Sequence, residues 1–136
     1  MNRVTTDSNI LISAFLRGGK PLELVELARA GRIELAISND ILNETGRVLA
    51  TKFGVPAEDI QEYQDEIRTF AKLVAPDERL DVVKADPTDN PILECAVAAG
   101  SDTIITGDGH LLEIGNFRDI KIQRVSDFLQ NIAIER

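Results

Sequence analysis

Thr103-Ile104-Ile105-Thr106-Gly107-Asp108 is a run of four β-branched residues that ends in a turn and an acid. That composition belongs to a central strand buried on both faces, where branched side chains pack well and no polar alternation is needed. Upstream, Pro91 suits the first position of a helix, which carries Ile92, Leu93, Ala96 and Val97 and closes at Gly100. Downstream, Gly107-Asp108-Gly109 turns into a short apolar segment, Leu111 to Ile114. Ile120-Lys121-Ile122 then reads as an edge strand, and Ser126 as the cap of a last helix over Asp127–Ile132.

The same alternation runs through the first half. Val4-Thr5-Thr6 is a short and rather polar first strand, and Asn9 to Arg17 carries Ile10, Leu11, Ala14 and Phe15 at helical spacing. Pro21 opens a helix to Ala30 with Leu22, Val25 and Ala28 on one face, and Gly31 after it. Ile33 to Ile37 is the second strand, and Ser38-Asn39-Asp40 offers cap oxygens to a helix that stops at Gly54. Pro56 begins an amphipathic helix with the stripe Ile60, Tyr63, Ile67 and Phe70. Leu73-Val74-Ala75 is a third strand, Asp77 to Lys84 a charged loop, and Asp86 to Pro91 a dense turn. Strands alternating with helices predict an α/β fold, a parallel sheet covered by helices on both faces.

With 136 residues, 43% of them apolar, the chain fits one domain, 1–136, with one core. No apolar run is long enough to span a bilayer, and no signal-peptide core follows Met1, so a cytoplasmic protein is expected. Cys95 is the only cysteine, which removes disulfides and Cys-based zinc and leaves a small buried apolar residue. The net charge of −8 argues against a generic nucleic-acid coat or a binder of anionic membranes. Leu- and Ile-rich helical faces fit burial in the core and a homodimer equally well.

Of 23 acidic residues, four satisfy a topological rule: a site acid lies at a strand's carboxyl end or near the start of the next helix. Asp7 follows the first strand, Glu44 lies two turns into the helix after the second, Asp89 starts the helix at Pro91, and Asp108 follows the fourth strand. Taken singly, Asp7 and Asp89 are equally well read as helix caps, Asp108 as a turn residue and Glu44 as a surface residue. Together they place four carboxylates on one sheet edge, which calls for a divalent cation and points to phosphodiester hydrolysis. Ser8, Asn9 and Thr106 are short polar neighbours of the kind that orient such ligands. Asp102 is rejected, because a strand of roughly 15–20 Å, at about 3.3 Å per residue, separates it from Asp108. Asp86 is favoured as a turn former over a supporting role, Glu94 falls outside the set or at its rim, and the lone histidine, His110, is favoured as a solvent-facing loop residue over a general acid. No Gly-rich phosphate loop and no nucleophile elbow is present.

Four ordered segments resemble the PIN domain family. They are Thr6-Asp7-Ser8-Asn9-Ile10-Leu11-Ile12-Ser13-Ala14, then Ser38 to Glu44, then Asp86-Pro87-Thr88-Asp89-Asn90-Pro91-Ile92-Leu93-Glu94-Cys95-Ala96, and Thr106-Gly107-Asp108-Gly109-His110-Leu111-Leu112. The closest likeness is to the subgroup described as toxin components of toxin–antitoxin systems. The resemblance implies a PIN-like, Rossmann-like three-layer sandwich whose parallel sheet of four or five strands has order 3-2-1-4-5. It also implies a ribonuclease dependent on Mg²⁺ or Mn²⁺, with Asp7, Glu44, Asp89 and Asp108 as its acidic cluster, an RNA substrate and an antitoxin protein as a separate chain. Ser8 stands where Thr is usual in the family, and Thr5 where an apolar residue is usual, which predicts a slightly looser first strand. Two other readings stand beside it: a haloacid-dehalogenase-type phosphatase, whose second Asp is replaced here by Asn9, and a catalytically silent PIN-fold interaction module.

Overall fold

The computed structural model describes residues 2–84 and 87–135, so Asp86 lies outside the described residues. The first half runs β1 (Arg3–Thr6), α1 (Ser8–Leu16), α2 (Gly19–Arg29), β2 (Glu34–Ser38), α3 (Asn39–Phe53), α4 (Ala57–Phe70) and β3 (Lys72–Val74). A 3₁₀ turn at Pro87–Asp89 leads into α5 (Asn90–Ala99), β4 (Thr103–Ile105), α6 (Gly109–Ile114), β5 (Asn116–Phe117), β6 (Ile120–Gln123) and α7 (Val125–Glu135). The sheet order is β3-β2-β1-β4-β6-β5, with every pairing parallel except β5 with β6. The five parallel strands therefore follow the expected order 3-2-1-4-5.

The sixth strand is a correction: Ile120–Gln123 is not the edge, because β5 folds back on it. The two linking residues, Arg118 and Asp119, both have positive φ, 50° and 66°, as a tight two-residue hairpin requires. Neither is the Gly that usually marks such a turn, so residue type alone carries no hairpin signal there. Two helix starts also shift. α2 begins at Gly19 and buries Leu24, Val25 and Ala28 while Leu22 stays exposed, and α7 begins at Val125, so Ser126 lies inside it rather than capping it.

The core is built from Leu11, Leu35, Ile37, Leu42, Leu49, Leu93, Ile104, Ile105 and Leu111, all essentially inaccessible. Each such side chain contributes about 1.5–3 kcal/mol on burial. Gly54 and Gly100 end α3 and α5 in the left-handed region, φ 65° and 66°. The polar first strand is not loosened by Thr5, whose hydroxyl is fully buried 2.9 Å from that of Ser101. Cys95 is buried beneath it, and burial pushes its thiol up to about 11.

Helix α3 is seated against α4 by a close approach at Gly46, where a Cβ would lie 2.5 Å from Nε2 of Gln64. That nitrogen donates to the carbonyl of Leu42 at 2.9 Å. The Tyr63 hydroxyl donates to the carbonyl of Leu11 at 2.7 Å, tying α4 to α1. These contacts fix the start of α3, and with it Glu44, against the sheet edge. Among the described residues, no helix is long and apolar enough to cross a membrane.

Candidate metal centre

Strands β1 and β4 run side by side with Thr6 opposite Ile105. The next residues, Asp7 and Thr106, therefore leave the sheet together. Asp7 is buried, and its two oxygens are separately engaged: Oδ1 accepts from the Ile10 amide at 3.0 Å, and Oδ2 accepts from the Thr106 hydroxyl at 2.5 Å. The Thr106 oxygen in turn accepts from the Asp108 amide at 3.0 Å. Asp108 caps α6 by accepting from the Leu111 amide at 3.3 Å. Asp7 and Asp108 are thus both helix caps. Capping holds each carboxylate in one orientation at a helix N-terminus and leaves further lone pairs for a cation.

Burial is the first cause that lifts the Asp7 carboxyl above its ordinary range. Hydrogen bonds from Thr106 and Ile10 act in the opposite direction, and the charges of Asp108 and Glu44 push it up again. Two of the other predicted acids therefore lie within electrostatic reach of Asp7. Glu44 is half-buried on the second turn of α3, where it lines a cleft of about 500 Å³ with Asp40, Asn43, Arg47 and Pro91. Pro91 belongs to the start of α5, the helix that Asp89 precedes.

Asp89, buried, Asp108 and His110 form a second grouping. One carboxylate oxygen from each acid and a ring nitrogen of the histidine all lie within 4.8 Å of one another. His110 sits on the first turn of α6 and not in a loop, half exposed, with Nδ1 3.8 Å from Oδ1 of Asp108. Its proximity to Asp89 depends on how α5 meets β4, which spacing along the chain does not reveal. Among the described residues, no Lys or Arg forms an ion pair with Asp7, Glu44 or Asp108. Hard oxygen donors left unpaired by Lys or Arg in this way are the donor set that a divalent ion fits.

The supporting residues differ from expectation. Thr106 donates to a carboxylate, whereas Ser8 is buried and Asn9 exposed, and among the described residues neither donates to Asp7, Glu44 or Asp108. Glu94 is not at the rim. It is buried and accepts from the Leu80 amide at 2.7 Å and from Arg79 at 3.0 Å. One turn earlier on the same face, Asn90 accepts from the amides of Val82 and Val83 at 3.0 and 2.9 Å. Asn90 and Glu94 together strap the charged loop onto α5. The Asn-Pro pair at the helix start was the one available signal for Asn90. Asp102 lies at the opposite end of β4, where it accepts from the Arg3 amide at 2.9 Å.

The PIN domain family model matches residues 3–110. Among solved structures, the chain resembles VapBC2 from Rickettsia felis, crystallised bound to a DNA fragment from the promoter. That match has 15% identity and a TM-score of 0.64, and covers 90% of this chain and 98% of the other. It also resembles PAE2754 from Pyrobaculum aerophilum, with 13% identity, a TM-score of 0.58 and 98% of both chains covered. At these identities the likeness shows the fold alone. No curated protein sequence matches the chain.

Proposed function

The chain belongs to the PIN domain family, and from that premise we propose that residues 1–136 act as one divalent-metal-dependent endoribonuclease. The observation that carries this reading is the convergence of acids on one sheet edge. Asp7 is buried within reach of the charges of Asp108 and Glu44, and Asp108 is grouped with Asp89. Such crowding is costly unless a cation offsets it.

Asp7, Asp89 and Asp108 are the residues that would hold Mg²⁺ or Mn²⁺, with Glu44 ligating through water or positioning the attacking water. When bound, the ion supplies Lewis acidity toward the phosphodiester and offsets charge that builds on its oxygens. Thr106 keeps the Asp7 carboxylate turned into the site by donating to Oδ2. Arg47, in the cleft beside Glu44, offers a cation to a phosphate of the substrate strand. With a net charge of −8, the rest of the surface repels RNA, so productive binding depends on the loaded site. The likeness of its motifs to the toxin subgroup of the family supports an antitoxin protein as the partner, with both acting in the cytoplasm.

The test is cleavage of a labelled mixed-sequence RNA by the parent and by Asp7→Asn, with circular dichroism to verify the fold. The reading predicts a loss of about a hundredfold or more with the fold retained. A variant that cleaves at the parental rate sinks it.

A further inference from the structure

The acids of the site are all-oxygen donors, which suit Mg²⁺. His110 is not. We propose that His110 is a ligand of the same ion, and that its imidazole tilts the site toward Mn²⁺, Co²⁺ and Zn²⁺ at the expense of Mg²⁺. This inference rests on the metal-dependent reading above.

Three observations support it. A ring nitrogen of His110 lies within 4.8 Å of carboxylate oxygens of both Asp89 and Asp108. Ligands about 2.1 Å from one ion lie roughly 3–4.2 Å apart, so a small rotation of an exposed side chain completes the set. The Nδ1 to Oδ1 separation of 3.8 Å is too long for a hydrogen bond and falls within that ligand spacing. About half of the His110 side-chain surface is also exposed. An imidazole ligand discriminates between ions where carboxylates do so weakly. Affinity for nitrogen donors rises from Mn²⁺ through Co²⁺, whereas Mg²⁺ favours oxygen.

His110 is the only histidine of the chain, which makes the test direct. The untagged protein is loaded with Mn²⁺ and examined by pulsed EPR for nitrogen-14 modulation from a coordinated ring, in the parent and in His110→Asp. In parallel, Co²⁺ and Mg²⁺ affinities of both proteins are measured by calorimetry. The inference predicts ring-nitrogen modulation in the parent only. It also predicts that the parental preference for Co²⁺ over Mg²⁺ falls about tenfold or more in the variant. If Mn²⁺ binds, and Asp108→Asn abolishes that binding, but the parent shows no nitrogen modulation, the inference is overturned and the nuclease reading stands. If the parent binds none of these ions at millimolar concentration, both fall.

Discussion

The two ends of β1 and β4 treat charge in opposite ways. At the amino end, Arg3 pairs with Glu34 at 3.1 Å, donates to the Ala99 carbonyl at 2.7 Å, and offers its amide to Asp102. Each acid there has a donor facing it. At the carboxyl end, one short strand length away, Asp7 faces the charges of Asp108 and Glu44, and among the described residues neither Asp7 nor Asp108 forms a Lys or Arg ion pair. The strands are the same and the packing between them is continuous. One end is arranged to hold the sheet together, and the other crowds like charges, which helps to raise the Asp7 carboxyl and strains the site. The acids at one end of these strands are paired with Arg3, and those at the other crowd one another.

The largest effect that would sharpen this contrast is kinetic. Thr106→Val removes the donor to Asp7 and the acceptor for the Asp108 amide while keeping the branched shape. RNA cleavage per folded molecule is expected to fall by about 10–100-fold, with about 1–3 kcal/mol of stability lost because a buried Asp7 oxygen loses its donor. Equal cleavage by the variant would show that the Asp7 orientation is set elsewhere. At the amino end the effect is on stability instead. Arg3→Ala is expected to cost about 2 kcal/mol in urea unfolding, because a charged donor is lost from a carbonyl and a carboxylate, while cleavage per folded molecule is unchanged. A fall in cleavage rate at full folding would erase the distinction between the two ends.

The smallest effect concerns pH. The Asp7 carboxyl is raised in the folded state, so the native protein holds that proton more tightly than the unfolded chain. Without metal, its contribution to stability is fully present below the ordinary carboxyl range. That contribution is lost as pH rises through the interval up to the raised value. Asp7→Asn removes the ionisation. In chelator, the variant is expected to be more stable than the parent at neutral pH, with the gap closing under acid conditions. Urea midpoints at the two pH values decide it, and a variant less stable at neutral pH contradicts the claim that the site is strained.

Much of this was legible in residue order because local chemistry and tertiary role coincide. Thr103-Ile104-Ile105 is a strand by composition and a buried one in place. Ser38 was readable as a cap and accepts from the Ile41 amide. Asp7 and Asp108 had two competing readings, and the cap reading describes real contacts, which leave further carboxylate lone pairs for a ligand. What escaped the sequence depends on partners far along the chain. Thr5 weakens a strand on paper, yet its hydroxyl meets Ser101 across 96 positions. Glu94 and Asn90 carry a loop whose composition showed only charge. His110 approaches Asp89 through the meeting of two helices rather than through spacing.

The most direct measurement is an anomalous difference map from crystals soaked in Mn²⁺. A peak within coordinating distance, about 2.2 Å, of carboxylate oxygens from Asp7, Asp89 and Asp108 is the predicted result. Mn²⁺ found only at other surface carboxylates, with no peak at the carboxyl ends of β1 and β4, would contradict the account.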